Sequence, residues 1–152
     1  GMSKSEMNAE TPMLPRRSSF GWLVAVVGNQ MAGSLDERLK QLDLSLSLWP
    51  TLFALWEHEG ITQTELAERC DTAHYTTTRV LDSLEKKGLV ERRVDPEDQR
   101  ANGVWLTTEG EALYEEILPI ARQFVSDWTH PIGGKQAYML AEILSDWNEK
   151  IN

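Results

Sequence analysis

The chain has 152 residues, 41% of them hydrophobic, which suits one compact globular unit or a little more. No apolar run reaches the roughly 18 residues that a transmembrane helix needs, so neither a membrane span nor a membrane partner is expected. The net charge of −9 weighs against a polyanionic partner. Its distribution narrows that objection: residues 1–78 carry 6 basic and 10 acidic side chains, residues 79–100 carry 6 of each, and residues 101–152 carry 3 and 8. One locally neutral segment lies between two acidic flanks. The polar start, residues 1–10, lacks the apolar stretch of a secretory signal. The single cysteine, Cys70, cannot form an internal disulfide, which suits a reducing cytoplasm.

In chain order, residues 1–18 contain Pro12, Pro15, Arg16 and Arg17 with little periodicity and read as a flexible arm. A long helix is expected over about 20–42, its apolar stripe running through Leu23, Val24, Val27, Met31, Leu35, Leu39 and Leu42. Gly21, Gly28 and Gly33 weaken it by roughly 1 kcal/mol each relative to alanine, so it depends on packing. A second helix is expected over 47–58, with Pro50 in its first turn and Gly60 after its end. Next, Thr62 and Glu65 make a capping-box pattern, and Ile61 and Leu66 have the spacing of a hydrophobic staple. This short helix ends near Cys70, and another follows over about 73–87, stopped by Gly88. Strands are expected at 89–94 and 104–106 around a charged turn. Thr108 and Glu111 suggest a second capping box, opening a helix to about 128 with a kink at Pro119. After the break His130-Pro131-Ile132-Gly133-Gly134, a last helix is expected over about 135–151.

Two short helices followed by a hairpin with a basic tip make a winged helix-turn-helix. The fold class is thus mainly α with a small β-hairpin wing. On a helical wheel, Thr77, Val80, Leu81 and Leu84 share one face of the second short helix, and Tyr75, Arg79, Asp82, Ser83 and Lys86 the other. The outward set, flanked by His74, Thr76 and Thr78, lies near the helix N-terminus, where a recognition helix touches base edges. Arg79 can donate two bonds to guanine, while the threonines can bond phosphates or bases and meet a thymine methyl. In the wing, Arg100 sits two residues after Asp98, and a guanidinium suits a narrow minor groove. Asp98 can hold the wing in shape through a basic neighbour, and Arg92 and Arg93 can meet phosphate. The bland alternatives are a solvated helix face and a hairpin with mixed charges for solubility.

Residues 61–110 resemble the MarR family of bacterial transcriptional regulators. The likeness lies in Thr64-Glu65-Leu66-Ala67-Glu68-Arg69, Thr76-Thr77-Thr78-Arg79-Val80-Leu81, Leu84-Glu85-Lys86-Lys87-Gly88-Leu89-Val90, Asp95-Pro96-Glu97-Asp98-Gln99-Arg100 and Leu106-Thr107-Thr108-Glu109-Gly110. The resemblance implies a homodimer with interlocked terminal helices, two winged heads on a pseudo-palindrome of double-stranded DNA, and Arg100 in the minor groove. Gln99 departs from the second arginine frequent in the family, and His74 and Tyr75 are bulkier than the residues common there. The expected organisation is therefore an arm at 1–18, dimerisation helices at 19–46 and 108–152, and a winged reading head at 47–107. The apolar stripes of the first and last helices (in the last, Tyr138, Leu140, Ile143, Leu144, Trp147 and Ile151) support a dimer independently.

Six tryptophans are many for this length. MarR-like proteins often bind a small aromatic or phenolic anion, and Trp22, Trp49, Phe53, Trp56, Phe124 and Trp128 are candidates to line such a pocket, with an ordinary aromatic core as the alternative. Cys70, at a helix C-terminus whose dipole opposes the thiolate, reads as buried filler rather than a sensor. His58, His74 and His130 have no metal-ligand spacing, no cofactor is expected, and no catalytic motif appears. Two functions remain: a sequence-specific, ligand-responsive repressor, and a winged helix turned protein-interaction module, which the net charge favours.

Overall fold

The structure is a computed structural model that describes residues 19–70, 72, 74–94, 96–98 and 102–151. Helix α1 (Phe20–Leu39) is followed by 3₁₀ turns at Lys40–Leu42 and Leu46–Leu48, α2 (Trp49–Glu57), α3 (Gln63–Cys70), α4 (His74–Lys86), strands β1 (Val90–Arg93) and β2 (Gly103–Leu106), α5 (Thr108–Thr129) and α6 (Gly134–Ile151). Two compact units divide after Ser34, within α1. In the first, Leu23 N–H bonds Ser19 O as the helix opens, and Phe20, Trp22, Leu23, Val24 and Val27 are exposed.

The second unit holds the core. Leu52 and Leu55 of α2, Leu66 of α3, Leu81 and Leu84 of α4, Val90 and Val104 of the strands, and Leu113 and Ile117 of α5 are buried in one cluster. Leu39 joins it from the end of α1, where regular helix gives way to the 3₁₀ turn rather than running to residue 42. Asp43 then takes a left-handed φ of 56°, and Leu44 N–H reaches back to Leu39 O at 3.1 Å. The second expected helix likewise opens as a 3₁₀ turn, and α-geometry begins at Trp49 with Pro50 in the first turn.

Local signals place the next boundaries. Thr62 Oγ1 accepts from Glu65 N–H at 3.1 Å at the head of α3. Helix α4 ends in a Schellman motif: Gly88, at φ 74°, donates to Glu85 O at 2.9 Å and Leu89 donates to Leu84 O at 3.0 Å. The strands pair antiparallel, with Val90 opposite Leu106 and Arg93 opposite Gly103. Ile61 adds a single bridge to Val104, so the wing has a one-residue third edge. At α5 the cap is Thr107, not Thr108: the Thr107 backbone is extended, its hydroxyl accepts from Gly110 N–H at 3.1 Å, and Thr108 is already helical. Pro119 lies inside α5, which runs unbroken to Thr129. Helix α6 buries no residue.

Candidate nucleic-acid interface

Helix α4 divides as its wheel predicts. Thr77, Leu81 and Leu84 are buried, Val80 is partly buried, and Tyr75, Arg79, Asp82 and Lys86 are exposed. Thr76 and Ser83 are half-buried beside them. Tyr75, Thr76, Arg79 and Ser83 line a hollow of about 320 Å³, closed on its other side by Ser45 and Ser47. Those two serines, whose hydroxyls lie 2.7 Å apart, are absent from the sequence-based site. The alternation Ser45-Leu46-Ser47-Leu48 is the only signal that could have found them. Arg79 has no ion pair among the described residues. Of His74 only the backbone, at the start of α4, is described.

Three of the expected DNA-contact residues have protein partners within the chain. Thr78 Oγ1 is bonded by the Gln63 side-chain amide, which locks α3 to α4. Arg92 reaches from β1 to α4: Nη2 is 2.8 Å from Asp82 Oδ1 and Nε is 3.4 Å from Glu85 Oε1. Arg93 pairs with Glu91 at 2.7 Å and lies 4.4 Å above the Trp105 ring. The short hairpin lies along α4, so the Arg92 side chain meets the two carboxylates on the helix face before it meets solvent. Arg92 therefore pairs with two carboxylates of α4 and offsets part of their negative charge. At the wing tip Asp98 is exposed, while Gln99 and Arg100 lie outside the described residues.

The root of the wing is a dense joint. Thr107 Oγ1 donates to Gly88 O at 2.6 Å, and Thr107 N–H donates to Leu89 O at 3.0 Å. A Cβ on Gly110 would sit 2.0 Å from Leu89 O, so only glycine permits this approach. Trp56 Nε1 donates to Gly110 O at 3.0 Å, bringing α2 to the same point.

The aromatic residues fall into clusters. Trp49 stacks on Phe53, with ring centroids 5.6 Å apart. Phe53 and Trp56 meet edge-on at 6.1 Å, and Trp56 meets Tyr114 of α5 edge-on at 5.2 Å. Phe53, Trp56 and Tyr114 line a cavity of about 490 Å³ together with Glu57, Glu59 and Glu111, with Leu106 completing the lining. Phe124 and Trp128 pair with each other at 6.3 Å, with Arg38 over the Phe124 ring, and are not among its lining residues. Trp22 lies exposed on α1.

Residues 44–101 match the MarR family model. Over 102 residues, 67% of this chain and 76% of the relative, the chain is 28% identical to the transcriptional regulator HosA of Escherichia coli O111:H-. Its structure is similar to S. aureus MepR in a DNA complex (25% identity, TM-score 0.77, covering 87% of this chain and 98% of that one). It is also similar to a mutant MarR from E. coli complexed with operator DNA (27% identity, TM-score 0.76, covering 92% and 96%). The likeness to the MarR family thus covers residues 44–101 in sequence and most of the chain in structure. Members are transcription regulators, not enzymes.

Of the residues that line the cavity, the sequence pointed to Phe53 and Trp56 but not to Tyr114 or the three glutamates. Tyr114 lies 58 positions after Trp56, beyond the reach of helical spacing. Cys70 is partly buried, its Sγ 3.8 Å from Thr51 Oγ1. Burial pushes its thiol pKa up, against a smaller lowering by that hydrogen bond. Among the described residues, no helix is long and apolar enough to cross a membrane.

Proposed function

We propose that this chain is a MarR-type regulator that binds operator DNA as a homodimer and represses transcription from a pseudo-palindromic site. Residues 47–107 form the reading head, and residues 19–46 with 108–152 form the dimerisation region. The observation that carries the reading is the outer face of α4. There Arg79, with no ion pair among the described residues, stands among Tyr75, Thr76 and Ser83, while Arg92 offsets the two nearby carboxylates. A guanidinium so placed supplies the bidentate donor pair that guanine presents for in the major groove. Lys86 on the same helix and Arg100 at the wing extend the contact to phosphate and minor groove in this reading. DNA complexes of MepR and MarR support it by similarity. The exposed stripes of α1 and α6 supply the twofold surface. A small aromatic ligand entering beside α2 and α5 releases the operator by shifting the heads.

The net charge of −9 favours the second reading, a protein-interaction module without DNA binding. A salt titration of binding to duplexes from the chain's own upstream region separates the two. A dimer making about eight phosphate contacts gives a log–log slope near −7. Absence of binding at low salt leaves only the interaction module.

A further inference from the structure

The cavity beside α2 combines aromatic rings with carboxylates. Its walls are Phe53, Trp56 and Tyr114, and neighbouring rings stand at 73° and 70° to one another, so faces and edges meet as the sides of a corner. Phe53 and Tyr114 are exposed, which leaves ring surface open to a guest. Glu57, Glu59 and Glu111 complete the lining, and no basic residue is among the lining residues described. One Glu59 oxygen accepts Leu106 N–H at 3.0 Å, which holds that carboxylate at the wing root. A phenolate or an aromatic carboxylate would enter against three negative charges. A cation over aromatic faces is attracted by the ring quadrupoles, and by each carboxylate as well. A compact metal ion does not suit the arrangement, because among the described residues no group of three or more such ligands lies close enough to hold one. A volume of about 490 Å³ is that of a small-molecule site.

We infer that this cavity binds an organic ammonium cation carrying an aromatic or bulky apolar group. The inference deepens the effector reading above and takes its biological sense from it. It replaces an anionic guest with a cationic one.

The test is calorimetric titration of the full-length protein, without DNA, using benzyltrimethylammonium, with salicylate as the anionic comparison. The parent is expected to bind the cation saturably at one site per chain and to give no saturable heat with salicylate. The pair Glu57→Gln and Glu111→Gln keeps shape and removes charge, so cation affinity falls about tenfold or more. Phe53→Leu, at an exposed position, gives an independent loss should the double variant not fold. Absence of saturable cation binding to the parent overturns the inference. So does equal or tighter salicylate binding, or unchanged cation affinity in the folded glutamine pair or in Phe53→Leu. Operator affinity with and without the cation is measured separately. A cation that binds yet leaves operator affinity unchanged upholds the site and removes the effector role. A protein that binds no operator loses the DNA reading, while the calorimetry still decides the cavity.

Discussion

Arg92 is a charge neutraliser before it is anything else. Its pairs with Asp82 and Glu85 sit on the face that the proposed reading turns to DNA. Such partly exposed pairs add little to folding, on the order of 0–1 kcal/mol. Their larger effect is on a polyanion approaching α4. Arg92→Ala is expected to leave the melting temperature nearly unchanged and to weaken operator binding at low salt by about tenfold. Adding Asp82→Asn and Glu85→Gln should restore most of it. A large loss of melting temperature instead would make Arg92 a folding residue. Gly110 sets two magnitudes against each other. Alanine there gains roughly 1 kcal/mol of helix propensity, but its Cβ meets the Leu89 carbonyl at 2.0 Å, and backbone displacement costs about 1–3 kcal/mol. The clash wins, so Gly110→Ala should unfold at lower urea than the parent. Asp127 carries the clearest pH signature: hydrogen bonds from Gln123 and then Arg38 hold its carboxyl below the usual carboxylate range. A depressed folded value stabilises the protein above the unfolded pKa, and that contribution is lost as pH falls through the folded value. Asp127→Asn should therefore lower the melting temperature slightly at neutral pH and leave it unchanged in strong acid, which flattens the profile between the two.

At the scale of elements, helix ends with local chemistry were legible and long-range joints were not. Thr62 with Glu65, and Gly88 after Lys87, announce α3 and the end of α4, because each device spans only a few residues. The head of α5 was read one residue late. In sequence only Thr108, with Glu111 three residues on, fits the capping box, whereas Thr107 has Gly110 there; Thr107 is held in place by a second bond, to Gly88 O, 19 positions away. The Ile61–Val104 bridge was invisible for the same reason, since a one-residue edge has no alternation to detect. The outward face of α4 was legible because period alone sorts it. The partners of Thr78, Arg92 and Arg93 were not, because they depend on where a hairpin lies. The cap assignment is tested by a pair of variants: Thr107→Ala should cost about 1–2 kcal/mol in urea unfolding and Thr108→Ala only a few tenths. Equal costs would return the cap to Thr108.

For the whole molecule, the apolar surface left open is the informative quantity. Helix α6 buries nothing, yet Tyr138, Met139, Leu140, Ile143, Leu144, Trp147 and Ile151 are exposed along it. Monomers rarely leave such a contiguous stripe in water, and in the proposed dimer a twin covers it. Sedimentation equilibrium is expected to give twice the 17.3 kDa of the chain. Ile143→Asp with Leu144→Asp should bring it to the single-chain mass, and operator binding should go with it.

The joint around Gly110 has a mechanical corollary. One peptide group there abuts the end of α4 through Leu89, receives the α2 indole, and lies in the first turn of the 22-residue α5. A contact that admits no added methyl admits little sliding. In the proposed dimer, turning α5 would carry α4 and the hairpin with it as a crank carries its handle, and the spacing between the two copies would follow how their long helices are seated.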